Sequence, residues 1–333
     1  MENNLYPLKF KPIYKTPIWG GDKFKKIFNR SEVPDRCGES WEISGVDDYN
    51  SVISNGFLAG NTLNEILEVY MGDLVGDVVY DNFGNNFPLL VKFIDANDNL
   101  SVQVHPDDEL AWQRHESFGK TEMWYVLDAE PGAQLVNGFN KEMSKEEYLE
   151  TVKNGKLMDI LNFMPVKKGD VFFIPSGRVH AIGKGILLAE IQQNSDITYR
   201  IFDYNRVDSN GKSRELHNHQ AVDAIDYKFY NDYRVKYNSE INKTVNAVDC
   251  KYFTTNIFRF NMPIEKDTPE IDSFIIYMCT DGKCRIEYDD DRNFVDLKKG
   301  ETILVPAVIK NLCFYPLEET TLVQTYIKID SEK

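Results

Sequence analysis

Four side chains of this 333-residue chain can meet around one cation: Gln103, His105, Glu122 and His180. Side chains two apart on a strand share a face, so Gln103 and His105 converge while Val104 turns away. Glu122 stands near the start of an apolar run, Thr121-Glu122-Met123-Trp124-Tyr125-Val126-Leu127. His180 follows a third run. There Gly169 and Asp170 form a turn, Val171 to Ile174 an apolar strand, and Pro175 to Gly177 a second turn. Two imidazoles, a carboxylate and an amide oxygen form a borderline-to-hard donor set. It suits a divalent ion such as zinc, one per chain, and leaves positions open for water or substrate.

The spacing Gly-x5-Pro-x-Gly-x2-His, from Gly169 to His180, resembles the second half of the cupin signature. That resemblance implies a double-stranded β-helix barrel whose inward residues bind metal. The composition agrees with a β-rich protein. Aromatic residues make up 13% of the chain, and Gly and Pro punctuate short apolar runs.

The elements that must position these residues are short. Leu8 to Tyr14 alternates as an edge strand or extended arm, and Trp41 to Ser44 and Ser51 to Ile53 read as short strands. Thr62-Leu63-Asn64-Glu65 is a capping box, followed at helical spacing by Ile66, Leu67 and Tyr70. Pro88 to Ile94 is a continuous apolar strand, and Asp107 caps a short helix through Trp112. Ser144-Lys145-Glu146-Glu147 opens another helix, so a helical insertion near 144–161 separates the strand of Glu122 from the one before His180. Two strand runs follow His180, Gly185 to Gln193 and Thr198 to Tyr204, then a polar turn at 208–211 and a helix over 217–226.

A faint internal repeat appears beyond 240. Gly300-Glu301-Thr302-Ile303-Leu304-Val305-Pro306 matches Gly169 to Pro175, but Val308 and Asn311 stand where the first copy has Gly177 and His180. The expectation is a mainly β chain of two cupin-like barrels with a few short helices. Residues 1–235 form the metal-binding domain, and 236–333 a smaller, degenerate one without a metal site.

A formal net charge of -15 argues against nucleic acid, whose phosphates would be repelled. A small phosphorylated substrate remains compatible through a local cluster of cations. No basic, apolar-cored leader and no run long enough for a membrane span is present. The five cysteines form no C-x-x-C pair, which fits reduced thiols in a cytoplasm. A monomer and a homodimer are both compatible with the sequence.

Several runs together resemble the type I mannose-6-phosphate isomerases in their compact bacterial form. They are Ile18-Trp19-Gly20-Gly21, Gly38 to Ser44, Leu100 to Pro106, Gly119 to Tyr125, Pro175 to Ala181 and Glu190 to Asp196. The likeness covers essentially the whole chain, and its Gln-x-His-Pro and Lys-x-Glu-Met runs are specific to this family within cupins. It implies zinc on Gln103, His105, Glu122 and His180, with Ser101, Lys120 and Arg200 in the active site. It also implies a reaction, the interconversion of mannose 6-phosphate and fructose 6-phosphate through a cis-enediol. The chain departs from the longer members in having Ile182 where they have Tyr, and Ile201 to Tyr204 rather than a Gly-rich run after Arg200. Their large helical domain has no counterpart here.

Such a reaction needs a base and positive charge at an enediolate oxygen. Glu190, in the apolar run Leu188-Ala189-Glu190-Ile191, is the candidate base; its structural alternative is an ion pair on the barrel wall. A metal-bound water or Lys120 could share the work. Lys120 lies two before Glu122 and so shares its face. Arg200 suits a phosphate or carboxylate, the alternative being an ion pair with Asp203 or Asp196. Arg178 is a second phosphate candidate, at the rim. Trp19 and Trp41 offer aromatic faces to a sugar or simply pack. His217 and His219 diverge on a helix and read as surface or capping residues, and His115 as exposed. The same donor set could hold iron in an oxygenase, or serve a sugar-sensing module without turnover. The family-specific runs favour the isomerase.

Overall fold

Short apolar runs cut by turn residues build a chain dominated by strands. The computed structural model describes residues 5–207, 211–288 and 293–328. Residues 208–210 of the turn read at 208–211 lie outside them.

The chain forms two compact units, Tyr14–Ser40 with Phe93–Val235, and Met1–Ile13 with Trp41–Lys92 and Lys236–Lys333. The linear division expected from the sequence differs from this, since residues 1–13 and 41–92 group with the carboxy-terminal strands. Long-range pairing is the reason. Leu8 and Leu304, for example, exchange backbone hydrogen bonds of 2.8 and 3.0 Å, a relation that local periodicity cannot carry.

The unit holding residues 93–235 has two sheets. One runs in the order Val171–Ile174, Glu122–Ala129, Ile186–Gln193, then the strand Leu89–Ala96, whose Phe93–Ala96 end belongs to this unit. The other runs Tyr199–Phe202, Val102–Val104, His180–Ala181, Gln134–Phe139, Leu161–Pro165. Alternation sorts the side chains. Trp19, Ile94, Leu100, Trp124, Phe172, Ile182 and Leu188 belong to one apolar cluster. Val102, Val104, Val179 and Ala181 belong to another, with Tyr148, Leu157 and Ala221 from the helical segments. The helical insertion is Lys145–Lys153, capped by Ser144 Oγ on Glu147 N, followed by a 3-10 turn Leu157–Ile160. Its apolar face packs on the side of the sheet away from Gln103 and His180.

The carboxy-terminal strands repeat this order. Thr302–Val305, Ile275–Asp281, Thr320–Tyr326 and Thr254–Phe260 are neighbours in one sheet, continued by Lys243–Asp249. Ile264–Asp267, Asn311–Pro316, Lys283–Tyr288 and Asn293–Lys298 form the other. The interior is filled by Phe258, Phe260, Tyr277, Ile303, Leu312, Phe314 and Leu322. At the place of Glu122, paired with Ile174, stands Ile275, paired with Val305. Asn311, the counterpart of His180, is exposed, and its neighbour Leu312 joins the core instead. Among the described residues of this second copy, a face exchange of one residue and an apolar filling stand where the first copy has its His and Glu.

Candidate metal centre

The strand Val102–Val104 directs Gln103 and the following His105 to the side away from Val102 and Val104. Cross-strand register does the rest. His180 pairs with Gln103, and Gln192 with Glu122. The turn into His180 needs Gly177, whose φ of 86° is left-handed and whose amide donates to the His105 carbonyl at 2.9 Å.

His105, Glu122 and His180 converge with ligand atoms all within 4.8 Å of one another. Each is at most 1% exposed. Glu122 Oε1 lies 3.3 Å from His180 Nε2, and Glu122 Oε2 lies 3.6 Å from His105 Nε2. Gln103 completes the group, its Nε2 3.2 Å from His180 Nε2. Exchanging the two ends of that amide puts its oxygen at the same point.

Carbonyl partners fix both imidazole tautomers. His105 Nδ1–H donates to Ile197 O at 2.8 Å and His180 Nδ1–H to Arg178 O at 2.9 Å, so in the neutral ring Nε2 carries the lone pair. Burial pushes the His180 imidazole down to about 4, against the opposing Arg178 carbonyl bond and with the Lys120 charge as a further lowering influence. His180 is therefore neutral at pH 7, the form a metal requires. Two imidazoles turned by Nε2 toward a carboxylate, with an amide oxygen, fit a divalent cation.

Around this centre the strand face continues. Lys120, 5% exposed, brings Nζ to 3.8 Å from Glu122 Oε2. Glu190, 4% exposed, accepts a hydrogen bond from Trp124 Nε1 at 2.9 Å, and Trp124 meets the His180 ring edge-on at 5.4 Å. Ser101 is buried, its Oγ 3.5 Å from Gln103 Oε1. Arg200 pairs in register with Gln103 and is half-buried. Its Nη1 donates to Glu215 O at 2.9 Å, and its backbone amide donates to His217 Nδ1 at 3.1 Å. Burial, then the neighbouring Arg214 charge, lowers the Arg200 guanidinium pKa. Asp203, one of the two ion-pair partners considered for Arg200, pairs with Arg206 and Arg214 at 2.6 and 2.5 Å.

Two expected substrate contacts take different places. Trp19 is 4% exposed and packs within the apolar cluster of Ile94, Leu100 and Trp124. Arg178 is 7% exposed, not at a rim. Its guanidinium lies 4.4 and 4.7 Å from the Tyr230 and Tyr233 rings and donates to Asn137 Oδ1 at 3.1 Å. An indole followed by two glycines and an arginine in a turn suggest exposure, but tertiary packing decides both. His217 stands at the N-cap position of the Asn218–Ala224 helix without a side-chain cap bond, and its Nδ1 instead accepts from the Arg200 amide. His115 is exposed and meets the Tyr199 hydroxyl at 2.8 Å.

Sequence reasoning missed Trp124, Gln192 and the bracket behind Lys120. In that bracket Gln193 Oε1 accepts from Thr121 N at 2.8 Å and Gln193 Nε2 donates to Asp108 Oδ1 at 2.8 Å. Period two would have found the first two: Trp124 lies two beyond Glu122, and Gln192 two beyond Glu190.

A double-stranded β-helix barrel with inward His, Glu and His defines a cupin with a candidate metal centre. Comparison with known proteins narrows the class. Residues 8–151 match the catalytic domain of type I phosphomannose isomerase. The mannose-6-phosphate isomerase ManA of Bacillus subtilis (strain 168) is 44% identical over 66% of this chain and 68% of its own length. The protein YvyI of the same organism is 34% identical over 92% of this chain and 96% of its own. A crystal structure of the Bacillus subtilis mannose 6-phosphate isomerase superposes with a TM-score of 0.87 at 33% identity, covering 97% of this chain and all (100%) of that one. The chain belongs to the type I phosphomannose isomerase family and is an enzyme of it.

Proposed function

We propose that this chain interconverts mannose 6-phosphate and fructose 6-phosphate by proton transfer through a cis-enediol, with one zinc ion per chain held by Gln103, His105, Glu122 and His180. The observation that carries this reading is the meeting of two lone-pair imidazole nitrogens and a buried carboxylate within 4.8 Å. A bound divalent cation supplies Lewis-acid stabilisation of substrate oxygens.

The chain's own residues do the rest. Glu190 moves the proton between the two carbons, its carboxylate aimed by the Trp124 indole N–H. A positioned base of this kind contributes about 10²–10⁴-fold. Lys120 brings an ammonium to the same face as Glu122 and stabilises the developing oxyanion or assists ring opening. Arg200 takes the phosphate, its planar donor fork matching the oxygens, and Ser101 lies beside Gln103 to hold a sugar hydroxyl. The burial of the His–Glu–His group keeps bulk water from the reacting carbons.

The five cysteines are all thiols, which fits a reducing cytoplasm. Among the described residues no helix is long and apolar enough to cross a membrane.

A coupled assay on mannose 6-phosphate tests the reading, run before chelation, after it, and after zinc return. Loss and recovery of turnover are expected, and metal analysis of the purified protein separates zinc from iron. Full turnover by the chelated protein would reject the metal's part.

A further inference from the structure

Gln192 lies beside the centre and has no place in the scheme above. It is fully buried, at 0% exposure, and pairs across the strands with Glu122. Alternation along Ile186–Gln193 puts it on the face of Leu188, in the interior cluster, and Glu190, bonded to Trp124. Both amide hydrogens are taken. Nε2 donates to Gln193 O at 2.9 Å and to Ser195 O at 2.6 Å. Both partners are carbonyl oxygens, which can only accept, so the amide cannot be turned end for end. Its Oε1 is buried and receives no hydrogen bond. A buried acceptor without a donor is costly, so native structures place a donor there, from protein, water or ligand.

We infer that Gln192 Oε1 accepts a hydrogen bond from one hydroxyl of the bound sugar phosphate, and that Gln192 is a specificity-determining residue of this site. The inference rests on the function proposed above and adds the substrate feature that is read. An amide oxygen held by its two N–H bonds serves only a donor. It matches a hydroxyl carbon, not a carbonyl carbon. The two carbons that exchange hydroxyl and carbonyl during isomerisation each lose the donor in one of the two sugars. The hydroxyl read by Gln192 is therefore one that the reaction leaves unchanged, further along the sugar. Such a contact binds substrate, transition state and product alike, so its loss raises KM and leaves kcat much less affected.

The test uses the zinc-loaded enzyme and an unreactive open-chain hexitol 6-phosphate with its set of monodeoxy analogues, binding being read by calorimetry. One deoxy analogue is expected to bind wild type about tenfold more weakly than the parent, the ratio of one net hydrogen bond. In Gln192→Met, which keeps length and removes the acceptor, that difference should shrink to less than about twofold. KM for mannose 6-phosphate should rise about tenfold in this variant, with kcat changed much less. Equal deoxy penalties in wild type and a variant of normal zinc content would overturn the inference, because a resident water then occupies the acceptor. Wild type alone also decides. If it binds the hexitol phosphate and no deoxy analogue loses affinity, Gln192 reads no hydroxyl. Failure of wild type to bind any of these compounds removes the functional reading, and the inference with it.

Discussion

Trp124 donates its indole N–H to Glu190 Oε2 at 2.9 Å, and its ring meets His180 edge-on. One side chain thus sets the carboxylate proposed to move the proton and packs a proposed metal ligand. Trp124→Phe keeps an aromatic ring and removes the donor. It should lower kcat about tenfold, the worth of one hydrogen bond, while retaining zinc. Glu190→Gln should lose about 10²–10⁴-fold, also with zinc retained. Steady-state kinetics with metal analysis on the same preparations checks both. Loss of zinc in either variant would make Glu190 a support of the centre rather than a base.

The centre itself predicts a coupled loss. Glu122→Ala and His180→Ala each remove one donor from a buried group whose members lie within 4.8 Å of one another. Zinc affinity should fall by more than about 100-fold, beyond the usual effect of losing an outer-shell partner, and turnover should fall with it. His219 is exposed on the Asn218–Ala224 helix and is absent from the cluster. His219→Ala should change neither quantity. Competition with a chromogenic chelator measures the affinities.

The sequence shows this site because its information is local. Gln103 and His105 alternate with Val102 and Val104, and the run from Gly169 to His180 spells out strand, turn and ligand. Caps were equally visible: Thr62 and Glu65 form the reciprocal box at the Leu63–Val75 helix, and Asp107 accepts from Leu110 N. What local pattern does not hold is which face survives in a degenerate copy, and which distant strands pair. Asn311 stands at the spacing of His180 but is exposed, because Leu312 fills the second barrel in its place. Trp19 and Arg178 carry chemistry that suits a sugar phosphate. Their burial against the apolar cluster and against Tyr230 and Tyr233 is decided by residues far away in sequence.

Asp95 gives a pH signature separate from the centre. It is fully buried, accepts from Lys23 N at 2.7 Å, and lies close against Gly21. Burial raises its carboxyl to about 6 from 3.8, opposed by the Lys23 backbone N–H. Between about pH 4 and 6 the folded chain then holds a proton that the unfolded chain has lost. Stability from this group is complete below about pH 4 and declines as pH rises through 6, by roughly 3 kcal/mol. Asp95→Asn keeps an acceptor for Lys23 N and cannot ionise, so it should abolish that slope. Urea unfolding of both proteins from pH 4 to 7 measures it, and equal slopes would remove Asp95 as the cause.

Gly119 is required by close approach rather than by a turn. A Cβ built there would lie 2.6 Å from Asp108 N and 2.7 Å from Asp107 C, both backbone atoms that cannot give way cheaply. The next amide, Lys120 N, donates to Pro106 O at 3.2 Å, and Thr121 N is held by Gln193 Oε1. The segment leading to Lys120 and Glu122 is therefore fixed against the segment that follows His105. Gly119→Ala must push these two apart, at a cost of about 1–3 kcal/mol as in other overpacked sites. Because Lys120 and Glu122 move with the segment, zinc affinity and kcat should fall together, although neither side chain is altered. Denaturant unfolding, chelator competition and kinetics on the one variant check this. A stability loss with unchanged zinc affinity and kcat would show that the close approach supports the fold without aiming the site.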